Sequence, residues 1–199
     1  LSIISLLFFL VGCTSYPKKM GYTEVPIHDK SILNPYFSDT SQDYIYKANV
    51  DAFSNHFGGI LVIKKIDDLE HRVVFTTEMG NTIFDFSFRD GDFTVNRIVD
   101  PLDKQLLINI LERDFEALVR EKLVAQAVYN KGSQEITEIQ MDKRPYFYAF
   151  ENSLLTTITR IGNQKEKVVF EFSEINDDIA KRITIIHKNI DLKIELKAF

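Results

Sequence analysis

The sequence predicts a mainly β (α+β) fold, an antiparallel half-barrel covered by one central amphipathic helix. Three observations lead there. Phenylalanine and β-branched residues dominate many segments, with 16 Phe and no Trp in 199 residues, a composition that suits pleated, half-buried surfaces. Apolar residues alternate along most of these segments. A single stretch with helical spacing divides an earlier block of strands from a later one, and laying its apolar stripe on a curved sheet buries both.

The chain opens on an apolar run, Leu1 to Val11, that ends in Leu10-Val11-Gly12-Cys13 and contains the only cysteine. A membrane-spanning helix needs about 20 apolar residues, and Thr14, Ser15, Pro17, Lys18 and Lys19 stop this run early. Its size is that of a signal-peptide core. The positively charged segment that begins such peptides is missing, so a few residues are expected to precede Leu1. A lone cysteine excludes an internal disulfide framework. From Thr14 to about Asp43 the chain carries Pro17, Pro26 and Pro35 without a period and reads as a tether and irregular lead-in, with Tyr36 and Phe37 free to dock on the domain.

Strands follow. Tyr44, Tyr46, Ala48 and Val50 share one parity, Gly58-Gly59 reads as a break, and Ile60 to Ile63 as the next strand. Arg72 to Thr77 turns at Met79-Gly80-Asn81 into Thr82 to Arg89, and Asp90-Gly91 leads into Asp92 to Ile98. The Asp-Gly pair is a strong hairpin signal, and closely spaced sequential strands favour an antiparallel meander. The helix is expected to begin at Asp100 as cap with Pro101 in its first turn and Asp103 at the positive end of its dipole. Leu106, Leu107, Ile110, Leu111, Phe115 and Leu118 form its apolar stripe. It is expected to fray from Glu121 to Tyr129 and to close at Lys131-Gly132. Strands are then expected at Glu135 to Met141, Pro145 to Phe150, Leu154 to Ile161, Lys167 to Ser173, Arg182 to Lys188 and Ile190 to Lys197.

Two stretches resemble known families. Leu10-Val11-Gly12-Cys13 resembles the lipobox of bacterial lipoproteins, which implies removal of residues 1–12, a covalent lipid on Cys13, a tether over 13–43 and a single half-barrel domain over 44–199. Thr14 and Ser15 place no acidic residue after the cysteine, unlike the common inner-membrane retention signal, so the expected location is the outer membrane with the domain facing the periplasm. The segment Phe75-Thr76-Thr77-Glu78-Met79-Gly80-Asn81-Thr82-Ile83-Phe84-Asp85-Phe86 resembles the hairpin of the outer-membrane lipoprotein receptor LolB. Thr76, Gly80 and Thr82 match, and Met79 stands where that family has an exposed tip leucine. The resemblance spans roughly Gly58 to Val119. It implies the LolA/LolB half-barrel with its helical lid, and a cargo of acylated lipoproteins or another hydrophobic ligand received from a soluble periplasmic carrier. The chain departs from the family in having no tryptophan and in placing Glu78 where the family often has proline.

On that reading Met79 is the tip that enters membrane or cargo, against the plainer reading of an exposed methionine before a turn glycine. A hydrophobic cavity for acyl chains would be lined by Phe84, Phe86, Phe88, Phe93, Val95, Leu107, Leu111, Phe170 and Phe172, against the plainer reading of a core beneath the helix. The anchored lipid is the only cofactor expected, and no metal. His28, His56, His71 and His187 lack metal-ligand spacing and read as surface or satisfied groups. Asp85 and Glu171 turn outward by strand parity. No phosphate loop or nucleophile elbow occurs, so no enzyme is expected. The net charge of −5 is mixed along the chain, which leaves no basic stripe for nucleic acid. The alternative is a structural or interaction lipoprotein whose barrel is filled by its own helix.

Overall fold

A computed structural model describes residues 15–28 and 31–199; Cys13 and the expected signal peptide lie outside the described residues. The elements in order are α1 (Tyr16–Lys19), β1 (Thr23–Val25), β2 (Ser31–Leu33), β3 (Asp43–Ala52), β4 (Asn55–Lys65), β5 (Glu70–Thr76), β6 (Thr82–Arg89), β7 (Asp92–Ile98), α2 (Gln105–Val119), β8 (Lys122–Lys131), β9 (Gln134–Met141), β10 (Arg144–Glu151), β11 (Leu154–Gly162), β12 (Lys165–Asn176), β13 (Ile179–His187) and β14 (Leu192–Ala198).

All pairings are antiparallel, and the sheet runs β1-β8-β9-β10-β11-β12-β13-β14-β3-β4-β5-β6-β7 with β2 also on β8. The two strand blocks therefore join through the last strand, which pairs with the first long one from Leu192↔Ala52 to Ala198↔Tyr46. Along β3 the alternation is obeyed, with Tyr44, Tyr46, Ala48, Val50 and Ala52 buried. This chain order leaves β7 at one margin and β8 beside the other, and α2 is the segment that connects them. A twisted, curved sheet offers one concave side, and α2 crosses it, since Leu107, Leu111, Phe115 and Leu118 share one core with the sheet.

Four expectations change. The lead-in is part of the domain: β1 and β2 lie edge-on along β8, and Tyr36 and Phe37 are fully buried. Phe37 adopts φ 65°, uncommon for a residue with a β-carbon, while its ring packs edge-on to Tyr44 at 5.1 Å. Gly58-Gly59 does not interrupt β4. Gly59 is there because a β-carbon would lie 1.9 Å from the Thr76 carbonyl oxygen of the neighbouring strand, so the glycine permits close backbone approach and not a turn.

The helix starts later than expected. Val99 extends the β-ladder by donating to the Ile83 carbonyl, and Asp103 N–H bonds back to Val99. Leu102 is drawn into the core, so Asp100-Pro101 makes a turn and α2 begins after Lys104. The stretch after α2 is a strand and not a frayed helix. Leu123, Ala125 and Val128 bury one side of β8, with a bulge between Ala125 and Ala127. Gly132 at φ 61° then serves the β8–β9 hairpin.

Candidate functional site

The concave side is lined by aromatic rings from β5, β6 and β7. Phe84 and Phe86 are two residues apart on β6, so they share a face, and their rings stack in parallel at 4.5 Å. Phe93 of β7 meets Phe86 edge-on at 5.2 Å and Phe88 at 5.2 Å. Phe75 adds a ring 5.4 Å from Phe84. Onto this floor α2 lowers Phe115, 5.5 Å from Phe84 and 6.5 Å from Phe86, together with Leu107, Leu111 and Leu118. Phe170 joins the same core from β12, and Phe172 lies nearer the lead-in, 4.8 Å from Tyr36. Val95 packs against the core from the margin strand, half-buried. The residues expected to line a cavity belong to, or pack against, one buried core, in which the ring of Phe115 lies against Phe84 and Phe86.

How the helix is held follows from its ends. The last carbonyls of a helix lack partners within it, and here neighbours supply them. The Asn34 side-chain amide donates to Leu118 O at 2.8 Å, the Tyr148 hydroxyl to Ala117 O at 3.2 Å, and Asn34 N–H to Glu121 O at 2.9 Å. Just beyond, the Glu121 carboxylate meets Lys65 at 3.0 Å and His71 at 3.2 Å. At mid-helix Asp114 and His187 of β13 form a 2.7 Å contact with side chains only 2 % and 1 % exposed. The N-terminal end is held differently, by the burial of Leu102 and Leu107 and by the Asp103 N–H bond to Val99 O. Lys104 offers no side-chain cap, and Leu106 is 65 % exposed. The helix is thus held by polar contacts at its C-terminal end and its middle, and by apolar packing of Leu102 and Leu107 at its start.

His71 makes the C-terminal fixing sensitive to pH. Burial pushes its imidazole below the ordinary 6.5, and the Lys65 charge acts in the same direction against the Phe37 carbonyl and Glu121. At His71 the folded state therefore binds fewer protons than the unfolded chain, so the stability this residue contributes is full above pH 6.5 and declines as pH falls from there towards the lower folded value. The urea midpoint is expected to fall across that interval, and His71→Gln to flatten the fall; an unaltered slope in the variant would assign the effect to another group.

A cleft of about 310 Å³ lies where α2 meets the margin of the sheet. Its floor is Phe88, Phe93 and Val119, and its rim is mainly acidic, including Asp90, Asp92 and Glu112. At the far end of β5 and β6 the tip residue Met79 is 91 % exposed, in a tight turn closed by Gly80 N–H to Thr77 O and Thr77 N–H to Asn81 O. Gly80 at φ 84° permits that turn. Asp85 faces the other side of the sheet, paired with Arg72 at 2.6 Å.

Sequence reasoning missed Asp114 and Asn34, and it read His187 only as a surface or satisfied group without its partner. Asp114 had a visible signal, since it stands three residues after Leu111 and four before Leu118, inside the apolar stripe. Asn34 and His187 had none, because their partners lie 84 and 73 residues away.

No protein-family model matches the sequence, and no curated protein does. Among solved structures, the chain is similar to a LolA superfamily protein from Nitrosomonas europaea, with a TM-score of 0.52 and 6 % identity over 83 % of this chain and 88 % of that one. A DUF1329 family protein from Desulfovibrio piger is similar at a TM-score of 0.41 and 9 % identity over 81 % of this chain and 85 % of that one.

Proposed function

We propose, from the LolA-superfamily half-barrel fold that this chain has, that it is a membrane-anchored lipoprotein whose concave aromatic face binds acyl chains. The observation that carries this reading is the cover over that face. A sheet of rings is closed by one helix, which has no side-chain cap at its N-terminal end and is flanked along its C-terminal half by a cleft with a phenylalanine floor. Apolar walls with few polar groups suit a hydrocarbon ligand. Displacing Phe115 and the helix leucines exposes the Phe84–Phe86 stack to it, and lid movement of this kind is a common gating step.

In this reading Cys13 carries the lipid and holds the protein at the outer membrane with the domain in the periplasm. Acyl chains of a lipoprotein pass from a soluble carrier into the half-barrel, as for a LolB-like receptor. No bond is made or broken, and no catalytic residue is assigned. Transfer requires only comparable affinity on the two sides and a route that avoids water. Met79 at the hairpin tip reaches the bilayer or the cargo first, being unbranched, apolar and free of the core. Met79→Glu is accordingly expected to leave the unfolding free energy within about 0.5 kcal/mol of the wild type, as for most surface substitutions. In a liposome delivery assay the same variant is expected to lose most transfer of an acylated lipoprotein; full transfer would remove Met79 from the mechanism.

A second reading has its own support. Phe115 lies against the Phe84 and Phe86 rings and Asp114–His187 pins the helix, which suits a permanently closed structural lipoprotein that works through its outer surface.

A further inference from the structure

Across the helix from the aromatic cluster, three arginines gather with too few acids. Arg160 of β11 pairs with Tyr146 of β10 and with Val168 of β12. Tyr146 and Val168 belong to the core beneath the helix, and paired residues share a sheet face, so Arg160 lies on the concave side. Arg144 stands two residues before Tyr146 on β10 and has the same parity. Val168 pairs in turn with His187, the residue beneath Asp114, and Arg113 precedes Asp114 on α2. Burial lowers the affinity of Arg113 for its proton, and the charges of Arg144 and Arg160 add to the effect, against Asp114 and Tyr146.

The local acids are already taken. Asp114 is held by His187 and Glu116 by Arg120. Arg144 reaches only Asp142, at 3.8 Å to the carboxylate. The Nε atoms of Arg113 and Arg160 are buried without a hydrogen-bond partner among the described residues. Orphaned buried donors are rare in folded proteins, and like charges in a partly desolvated site repel strongly. All three residues are half-buried, so part of each reaches solvent. The Tyr146 hydroxyl, kept protonated by a burial that pushes it up to about 12, is one more donor.

We propose that Arg113, Arg144, Arg160 and Tyr146 form a binding site for a phosphate-type oxyanion between the lid helix and strands β10 and β11. Planar guanidinium forks match the oxygens of phosphate in pairs. Because Arg113 rides on the helix while the other three belong to the sheet, the bound anion ties lid to sheet. The oxyanion is inorganic phosphate or the phosphodiester of an anionic lipid, and the chemistry is the same for both. The site does not depend on acyl chains entering the aromatic face.

The test is thermal unfolding of the protein and of Arg113→Gln and Arg160→Gln at constant ionic strength. Inorganic phosphate, lysophosphatidylglycerol and an uncharged monoacylglycerol of equal chain length are each titrated against a chloride control. The wild-type midpoint should rise saturably with phosphate, which identifies a free anion, or with lysophosphatidylglycerol alone, which identifies a headgroup. Each variant should bind about tenfold or more weakly, the effect of losing a charge-assisted contact. Without anion each variant should melt higher than the wild type, since a repelled charge has gone. A wild type unmoved by both phosphate probes overturns the proposal, as does a variant that responds like the wild type. A lower anion-free midpoint in both variants also overturns it, because the arginines then serve the fold.

Discussion

Phe115→Ala is expected to lower stability by about 3–5 kcal/mol and, in the same protein, to tighten the binding of an acylated lipopeptide. Phe115 is fully buried and touches both rings of the Phe84–Phe86 stack. Removing it leaves a space lined by phenylalanine and leucine, and apolar voids of that kind stay dry and accept apolar guests. A ligand that must first displace the helix has its intrinsic affinity reduced by the fraction of open lid. Truncating the ring weakens the closed state against which the ligand competes. Urea unfolding and displacement of a fluorescent fatty acid, measured on one preparation, give both quantities. Lost stability with unchanged or weaker binding would favour the permanently filled barrel.

Asp114→Ala is the second large effect. It strands His187 in a site where both side chains are almost wholly hidden. Breaking a buried pair by removing one partner costs about 3–5 kcal/mol, more than most single substitutions. Asp114→Asn keeps an acceptor for the His187 ring and is expected to cost clearly less. Since the contact fixes the middle of α2, the alanine variant should also raise hydrogen exchange of the α2 amides before that of β12–β14. A loss below about 1 kcal/mol would place the pair in the range of exposed ion pairs and remove it as the pin of the lid.

The sequence made the strands legible where one side faces the core. β14 and β3 alternate strictly, and the Asp90-Gly91 turn has both residues at positive φ, 48° and 89°, as that hairpin type demands. The stripe on α2 identified the lid. What it could not convey was decided across the fold. Gly59 looked like a break because its reason, the Thr76 carbonyl, is 17 residues away (59 to 76). β8 hid in a run whose buried positions include alanine, a residue that fits helix as readily as strand. Asp100-Pro101 carried a good capping pattern, yet burial of Leu102 outweighed it. For the site, the aromatic lining was readable from parity, whereas the choice of Phe115 as its occupant required knowing that α2 connects the two margins of the sheet. The lead-in was misread as tether because three-residue edge strands leave almost no periodic signal.

The most direct test of acyl-chain binding is native mass spectrometry of the protein titrated with a diacylated lipopeptide and, in parallel, with the same peptide lacking acyl chains. A saturable adduct with the acylated peptide alone, strengthened by Phe115→Ala, is the result expected of a half-barrel whose lid yields to cargo. A protein that stays folded and forms no adduct with either peptide would contradict that account and leave a barrel closed by its own helix.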